Sequence, residues 1–374
     1  MQVRVALAGD VLLGRGIDQI QRSSVNPELR ERFVGDARDY IALAERRGGT
    51  EVPRCVDPAY VWGDTVERLE RFGPQATLVN LENALTDTDG FAPGKEIHYR
   101  GHPDNVAVLK TVPNPVCTLA NNHVLDFGTT GLEETCAALD RARVPYCGAG
   151  RDGAEATGPA IVEPSASDAP PGRRVAVIGC CLGDSGVPPG WGAGDARAGV
   201  FRLPGLGGHE VEKLESIARP LRDAGALIVV SIHWGGNWGY DIAEAKVRFA
   251  RSLADRGIVD VIHGHSSHHP QGFEIYRGVP VLYGCGDLIN DYEGIKGHEE
   301  YEPDLALVYL VTFDRSGEGP RMEIAVYERR QFRLVRARED SASRLAHTLS
   351  EENRRLAGPR LVYSDGTIKP TGSR

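Results

Sequence analysis

The sequence predicts an α/β fold, and three observations carry that prediction. Short apolar runs rich in β-branched residues recur along the chain, as buried strands require. Several are separated by segments of helical length and pattern. Five of the runs stop at a polar cluster: Gly9-Asp10, Asn80-Leu81-Glu82, Asn121-Asn122-His123, His233-Trp234, and the stretch from His263 to His269. Strand, polar tip and helix in alternation describe a sheet whose site lies along the carboxyl ends of its strands. Oxygen and imidazole groups delivered one or two at a time from such ends suit a hard or borderline divalent cation.

In chain order, strands are expected at Val3–Ala8, Ala76–Val79, Val116–Ala120, Ala226–Ile232 and Val259–Ile262. Helices are expected at Thr65–Phe72, Pro103–Thr111, Gly131–Arg143 and Glu244–Arg256. The stretch Ala154–Arg174, with Gly158-Pro159 and Pro170-Pro171-Gly172 around one apolar pair, reads as a surface loop ahead of a strand at Val175–Gly179. Gly183–Gly205 is long and glycine-rich, with Trp191 in its middle, and reads either as a lid or binding loop or as a plain connection. From Pro280 the pattern becomes hairpin-like, with antiparallel strands at Val281–Tyr283, Leu305–Thr312, Met322–Tyr327 and Gln331–Val335. A last helix, Ser341–Leu356, carries Leu345, Leu349 and Leu356 on a helical spacing and stops at Gly358-Pro359. No internal repeat and no dividing linker is visible.

Composition narrows the function classes. A chain of 374 residues with 41% hydrophobic content buries a large core. A net charge of -9 argues against general nucleic-acid binding, which draws on clustered Lys and Arg. No run approaches the length of a membrane span, and Val3 opens a strand pattern without a signal segment, so a cytoplasmic location is expected. The 7 cysteines are odd in number, sit mostly inside apolar runs and show no C-x-x-C pairing, which reads as small buried hydrophobes in a reducing compartment. Cys285 has no dedicated base beside it in sequence and is disfavoured as a nucleophile.

Gly9-Asp10-Val11-Leu12-Leu13-Gly14-Arg15-Gly16, Asn80 to Thr86, Tyr99-Arg100-Gly101-His102-Pro103, Leu119 to Gly128, Ile232-His233-Trp234-Gly235 and His263 to Gln271 occur in that order. Together they resemble the CapA-type capsule-synthesis (poly-γ-glutamate synthesis) family over roughly residues 1 to 300. That family is similar to the calcineurin-like metallophosphoesterases. The resemblance implies a four-layer αββα sandwich with mixed sheets and antiparallel C-terminal strands. Residues 1–335 would form the metallophosphoesterase-like domain, with 336–374 a helix and tail packed on it.

The same resemblance assigns roles. Asp10 matches the first metal carboxylate, Glu82 a bridging carboxylate, and Asn122 the amide ligand. His233 matches an isolated imidazole ligand, and His265 and His268 match a pair. His123 is implied as the acid. One or two divalent ions (Mn, Fe, Zn or Mg) are implied as cofactor. Phosphoesterases usually carry a His where Leu12 stands, and an Asp where Glu82 stands, so the second ion is the one placed in question. Arg100 is expected at the same mouth as a catalytic cation, because a guanidinium fork suits a carboxylate or phosphate. Arg15, Lys95, His102, Asn121, His263 and His269 are expected to bind substrate or stand behind the ligands. Asp126, Asp287 and Asp291 are the carboxylates available to accept the other N–H of a metal-bound imidazole.

Each residue also has a plainer reading. Asp10 can cap a following helix, Asn121 and Asn122 suit a turn, Arg100 can pair with a surface acid, and His123 or His233 can be a hydrogen-bonded core histidine. The ordered set favours the metal, since a fold that wanted only packing would place apolar residues at these strand ends. The expected activity is a metal-dependent hydrolase acting on a phosphoester, or on an amide of a polycarboxylate such as poly-γ-glutamate. The alternatives are a non-catalytic accessory protein of a polymer-synthesis system, and a metal-dependent ligation or cyclisation enzyme. A small-molecule or polycarboxylate partner is expected, with no nucleic acid and no membrane span.

Overall fold

The computed structural model describes residues 2–163, 173–314 and 319–371. Its spine is the strand Gln2–Val11, in the middle of a mixed sheet of ten strands among the described residues. On one side Ala76–Leu81, Pro115–Thr118 and Tyr146–Cys147 follow in parallel. On the other, Leu305–Asp314 and then Arg321–Arg330 run antiparallel. Beyond the end of Leu305–Asp314 the short strand Asp287–Ile289 takes over the same edge, parallel to the spine. A second sheet has parallel strands Val279–Leu282, Val261–His265, Leu227–His233 and Val175–Cys181, edged by antiparallel Phe273–Tyr276 and Ala160–Val162.

The period of two along each strand builds the layers. Val3, Val5 and Leu7 point into a core shared with Val175, Val177, Val229 and Val261, so the two sheets pack face to face. Ala6, Ala8 and Val11 face the other way, onto Ile41, Leu69 and Leu132 of the helices Arg38–Gly48, Thr65–Phe72 and Gly128–Ala142. Ile178, Val230 and Ile232 pack on Leu214, Phe249 and Leu253 of the helices Gly208–Asp223 and Glu244–Asp255. The result is helix, sheet, sheet, helix. Thr65–Phe72 shows why a short helix forms here: Thr65 and Leu69 give it one buried face, and Gly73, at φ +59°, closes it in the left-handed region open to glycine.

The C-terminal segment is built into the sandwich. Ala342, Leu345 and Leu349 of the helix Glu339–Arg355 enter the core between the sheets, with Leu361 and Ile368 of a hairpin, Arg360–Ser364 and Thr367–Thr371. Thr367–Thr371 pairs with Arg321–Arg330 and so extends the large sheet. The outer strand is covered, because Ser350 Oγ on the helix bonds both the N–H and the carbonyl of Leu361.

Three expectations need correction. Residues 154–163 are not loop throughout: Asp152 caps a short helix, Gly153–Thr157, and Ala160–Val162 pairs antiparallel with Val175–Cys181, the lone apolar pair sufficing for an edge strand. Residues 164–172 of that expected loop lie outside the described residues. The helix expected at Pro103–Thr111 is a 3-10 turn, Pro103–Asn105, followed by a short helix, Val106–Leu109. The last expected strand starts late, at Arg333, because Gln331 and Phe332 take positive φ in the hairpin turn. The free cysteines are buried apart from Cys55. Among the described residues no helix is long and apolar enough to cross a membrane.

Candidate metal centre

Two registers make the site. In the smaller sheet His233 lies directly opposite His265, so both imidazoles leave the same face of neighbouring parallel strands. In the larger sheet Asp10 lies opposite Asn80 on one side and Asp287 on the other. Face-to-face packing brings these tips together. Ligand atoms of Asp10, His233 and His265 lie within 4.8 Å of one another, and so do those of Asp10, Glu82 and Asp287, all of them buried. Asp10 belongs to both groups. His265 Nδ1 is 3.5 Å from Asp10 Oδ1, and His233 Nε2 is 3.6 Å from Glu82 Oε1. Asn122 Oδ1 lies 3.1 Å from the same His233 nitrogen. Asn80 donates to Asp10 Oδ1 at 2.8 Å and orients it.

This donor set fits a divalent cation. Burial, reinforced by Asp287, pushes the Asp10 carboxyl up to about 7. Burial, then Asp10 and Asp287, holds Glu82 well above the usual carboxylate range. Burial likewise holds His233 and His265 well below the ordinary imidazole value, in the neutral form that coordinates metals. The two Nδ1 atoms face each other at 2.9 Å. In the tautomers that carry the proton on Nε2, with His265 Nε2 donating to Ser231 Oγ at 2.9 Å and His233 Nε2 donating to Asn122 Oδ1, both Nδ1 atoms present lone pairs to one point. A cation there relieves the crowded carboxylates and the opposed lone pairs together. Behind His265, Ser231 Oγ lies 3.0 Å from His263 Nδ1, and His263 Nε2 donates to the Ala8 carbonyl at 2.9 Å, tying one sheet to the other through the imidazoles. On the opposite face of the strand Gly264 lets Trp234 and the Tyr283 carbonyl come close: a Cβ there would stand 2.7 Å from Trp234 Nε1 and closer still to the Tyr283 carbonyl.

The remaining sequence-predicted residues fall into two sets. His268 sits beside the centre, its Nδ1 3.0 Å from Asp287 Oδ1; burial works against its charge, but the Asp287 carboxylate outweighs burial and raises its pKa. His123 Nδ1 bonds Asp126 Oδ2 at 2.6 Å, and its ring stacks on Tyr99 at 3.9 Å. Lys95 bonds both Asp126 and the Asn122 carbonyl, with Trp191 of the long glycine-rich loop 5.0 Å away.

The second set has hydrogen-bond partners elsewhere. Asn121 holds the turn, donating to Asn80 Oδ1 and the Leu81 carbonyl and accepting from the N–H groups of His123 and Val124. Arg15 is enclosed by Asp291, Glu31 and Tyr40. His269 bonds Gly239 N and the Pro270 carbonyl. Arg100 bonds Asp89 and the carbonyls of Thr88 and Asn26, and His102 Nδ1 accepts from Asp104 N. The expected placement of Arg100 at the mouth therefore changes. Tyr99, just ahead of the strand Arg100–Gly101, takes the side toward His123, while the Arg100 side chain turns to Asp89 and the carbonyls of Thr88 and Asn26. Asn80 stood in a polar cluster and Tyr99 in a motif without a role assigned to either, Ser231 was read only as part of a strand, and Asp287 was singled out only as a group behind the imidazoles. Asn80 and Asp287 were legible as polar residues at strand tips; the orientation of Tyr99 was not.

Residues 4–292, which hold every one of these groups, match the family model described as bacterial capsule synthesis protein PGA_cap. The chain belongs to the PGA_cap family. It is 43% identical over 363 residues, 96% of its length and 93% of the relative's, to a probable polyglutamine synthesis accessory protein of Mycobacterium tuberculosis (strain ATCC 25618 / H37Rv). It is 26% identical over 270 residues, 70% of its length and 63% of the relative's, to the PGA biosynthesis protein CapA of Bacillus subtilis (strain 168). To the capsule biosynthesis protein CapA of Bacillus anthracis it is 27% identical over 272 residues, 71% of its length and 61% of the relative's. At the position flagged by the resemblance, this PGA_cap member has a buried Leu12, a side chain with no donor atom for a metal.

Proposed function

We propose that this PGA_cap protein is a metal-dependent hydrolase of capsule or poly-γ-glutamate metabolism, acting on a phosphoester or on an amide of a polycarboxylate. The observation that carries the reading is the pair of ligand groups sharing Asp10. Asp10, Glu82, Asn122, Asp287, His233 and His265 would hold one or two divalent ions, and His268, expected from the resemblance as a ligand, would stand behind Asp287, which it bonds through Nδ1. Such an ion, when bound, polarises the scissile oxygen and lowers the pKa of a water.

The chain's own groups do the rest. Asp126 fixes the His123 ring through Nδ1, which leaves Nε2 as the atom that exchanges a proton with the reacting oxygen. Tyr99, stacked on that ring, and Lys95, bonded to Asp126, hold the pair in place. Trp191 over Lys95 brings the glycine-rich loop onto the same mouth and favours its reading as a binding loop.

The test is metal content together with a Mn-supplemented panel of phosphomonoesters, phosphodiesters and γ-glutamyl amides. The expected result is bound metal and at least one hydrolysed class, lost in both Asp10→Ala and His123→Ala. Absence of Mn, Fe and Zn even after supplementation would overturn the reading. A second reading, a non-catalytic accessory protein, draws on Leu12 and on the name of the Mycobacterium tuberculosis relative. It predicts no turnover in the wild type together with tight polyglutamate binding.

A further inference from the structure

Lys246 is a cation at this mouth that the site as described does not use. It stands in the first turn of the helix Glu244–Asp255, and its side chain is 14% exposed. Among the described residues its one carboxylate partner is Asp184, 49% exposed, with Oδ2 at 3.4 Å. Both partners belong to segments that touch the ligands. Lys246 Nζ fills the space that a side chain on Gly235 would take, and Gly235 follows His233 by two residues. The Gly235 carbonyl accepts from Ser266 Oγ at 3.1 Å, and Ser266 N donates to Asp10 Oδ2 at 3.2 Å. Asp184 precedes Gly186, where a Cβ would lie 3.2 Å from Asn122 Nδ2.

An ammonium has three donors and is strongly hydrated in water. Lys95 shows what a satisfied one looks like here, with a buried carboxylate, a carbonyl and an indole around it. Lys246 has the Trp234 ring at 5.7 Å and a single, half-open acid. Burial lowers its pKa, and Asp184 opposes that shift without cancelling it. There is room for one more anionic partner.

We propose that Lys246 anchors a substrate carboxylate remote from the bond that is cut, and that Asp184 occupies that carboxylate's place in the free protein. The inference rests on the polycarboxylate arm of the reading above and deepens it. A γ-linked glutamate chain carries a carboxylate on every residue, so one of them can engage Lys246 while a neighbouring unit lies over the strand ends. Asp184 yields its place by moving with the Gly183–Gly205 loop, which also carries Trp191.

The test is calorimetric titration of a γ-linked glutamate hexamer into the metal-loaded 374-residue chain. Lys246→Met is expected to weaken binding roughly tenfold, the worth of one charge-assisted contact, while Lys246→Arg stays within about threefold of wild type. Asp184→Asn is expected to act in the opposite direction, tightening binding about threefold by removing the competing charge. That gain keeps the test open should Lys246→Met fold poorly. If wild type binds the hexamer but Lys246→Met binds equally well, or if Asp184→Asn weakens binding, the inference is overturned and the polycarboxylate reading stands. If wild type does not bind the hexamer at all, that reading fails and this inference goes with it.

Discussion

Two buried polar clusters lie at and just beyond the carboxyl end of the strand Gln2–Val11, and they solve the problem of buried charge differently. Around Arg15, Asp291 takes Nε at 3.2 Å and the Gly16 N–H at 2.8 Å, Glu31 takes Nη1 at 3.1 Å, and the Tyr40 ring lies 3.9 Å from the guanidinium. Positive meets negative, and each donor has an acceptor. Around Asp10, three carboxylates crowd together, with two imidazole nitrogens facing each other at 2.9 Å beside them. The first arrangement is complete as a structural device. The second is completed by a cation, and this contrast separates a scaffold from a site more sharply than burial does.

The contrast breaks most directly in stability. Arg15→Met leaves Asp291 and Glu31 buried without their cation and is expected to cost about 3–5 kcal/mol in urea unfolding. Metal content should stay unchanged in the protein that remains folded. Asp10→Asn should do the reverse: metal affinity falls by at least about 100-fold, while the metal-free protein becomes no less stable, because a repelling charge has been removed. Equal destabilisation of the metal-free protein by both substitutions would show that Asp10 is a scaffold residue like Arg15.

Chelation should give the next largest effect, about 2.7 kcal/mol of lost stability when the metal had been present at a hundred times its dissociation constant. The pH dependence sharpens it. In the chelated protein Asp10 titrates near 7, against 3.8 for the ordinary carboxyl, so the folded state holds the extra proton between those values. The Asp10 contribution to stability should therefore be greatest below about 4 and fall as pH rises through about 7, read as the difference between chelated wild type and chelated Asp10→Asn because the neutral His233 and His265 slope the other way. Glu82, also raised, adds to the same slope. Metal-loaded protein should lack that fall, because the ion takes the place of the proton; parallel pH profiles with and without chelator would contradict this.

The two clusters were unequally legible in the sequence. Strand tips announce themselves, because a buried parallel strand is a contiguous apolar run and the first polar residue after it stands at the sheet's end; Asp10, Glu82, His233 and His265 were readable on that ground. Helix Thr65–Phe72 was readable because it carries a buried face and a glycine stop. The Arg15 cluster was not, since its partners Glu31, Tyr40 and Asp291 come from distant segments and no local pattern pairs them. Tyr99 and Arg100 could not be told apart either: the strand Arg100–Gly101 is too short to give a periodicity from which to read a face. The hairpin Arg360–Thr371 was missed as well, because its pairing to Arg321–Arg330 is a long-range fact.

Ser231→Ala tests the layer behind the ligands. Its hydroxyl is the common partner of His263 and His265, and removing it frees both rings to turn. A loss of about 10- to 100-fold in metal affinity is expected with the fold retained. If affinity measured by competition with a chromogenic chelator is unchanged, the imidazoles are held by the register of their strands alone.

The smallest effect is expected at His102. The sequence placed it at the mouth beside Arg100, whereas its Nδ1 accepts the Asp104 N–H at 3.2 Å and so caps the turn Pro103–Asn105. Loss of such a cap costs about 1 kcal/mol, and no ligand of the metal centre is among its hydrogen-bond partners. His102→Ala should therefore shift the unfolding midpoint slightly and leave metal content and turnover as in wild type. A fall in turnover with the fold intact would mean that the segment Tyr99–Asn105 moves toward the strand ends when substrate arrives, and the boundary between scaffold and site would have to be redrawn to include it.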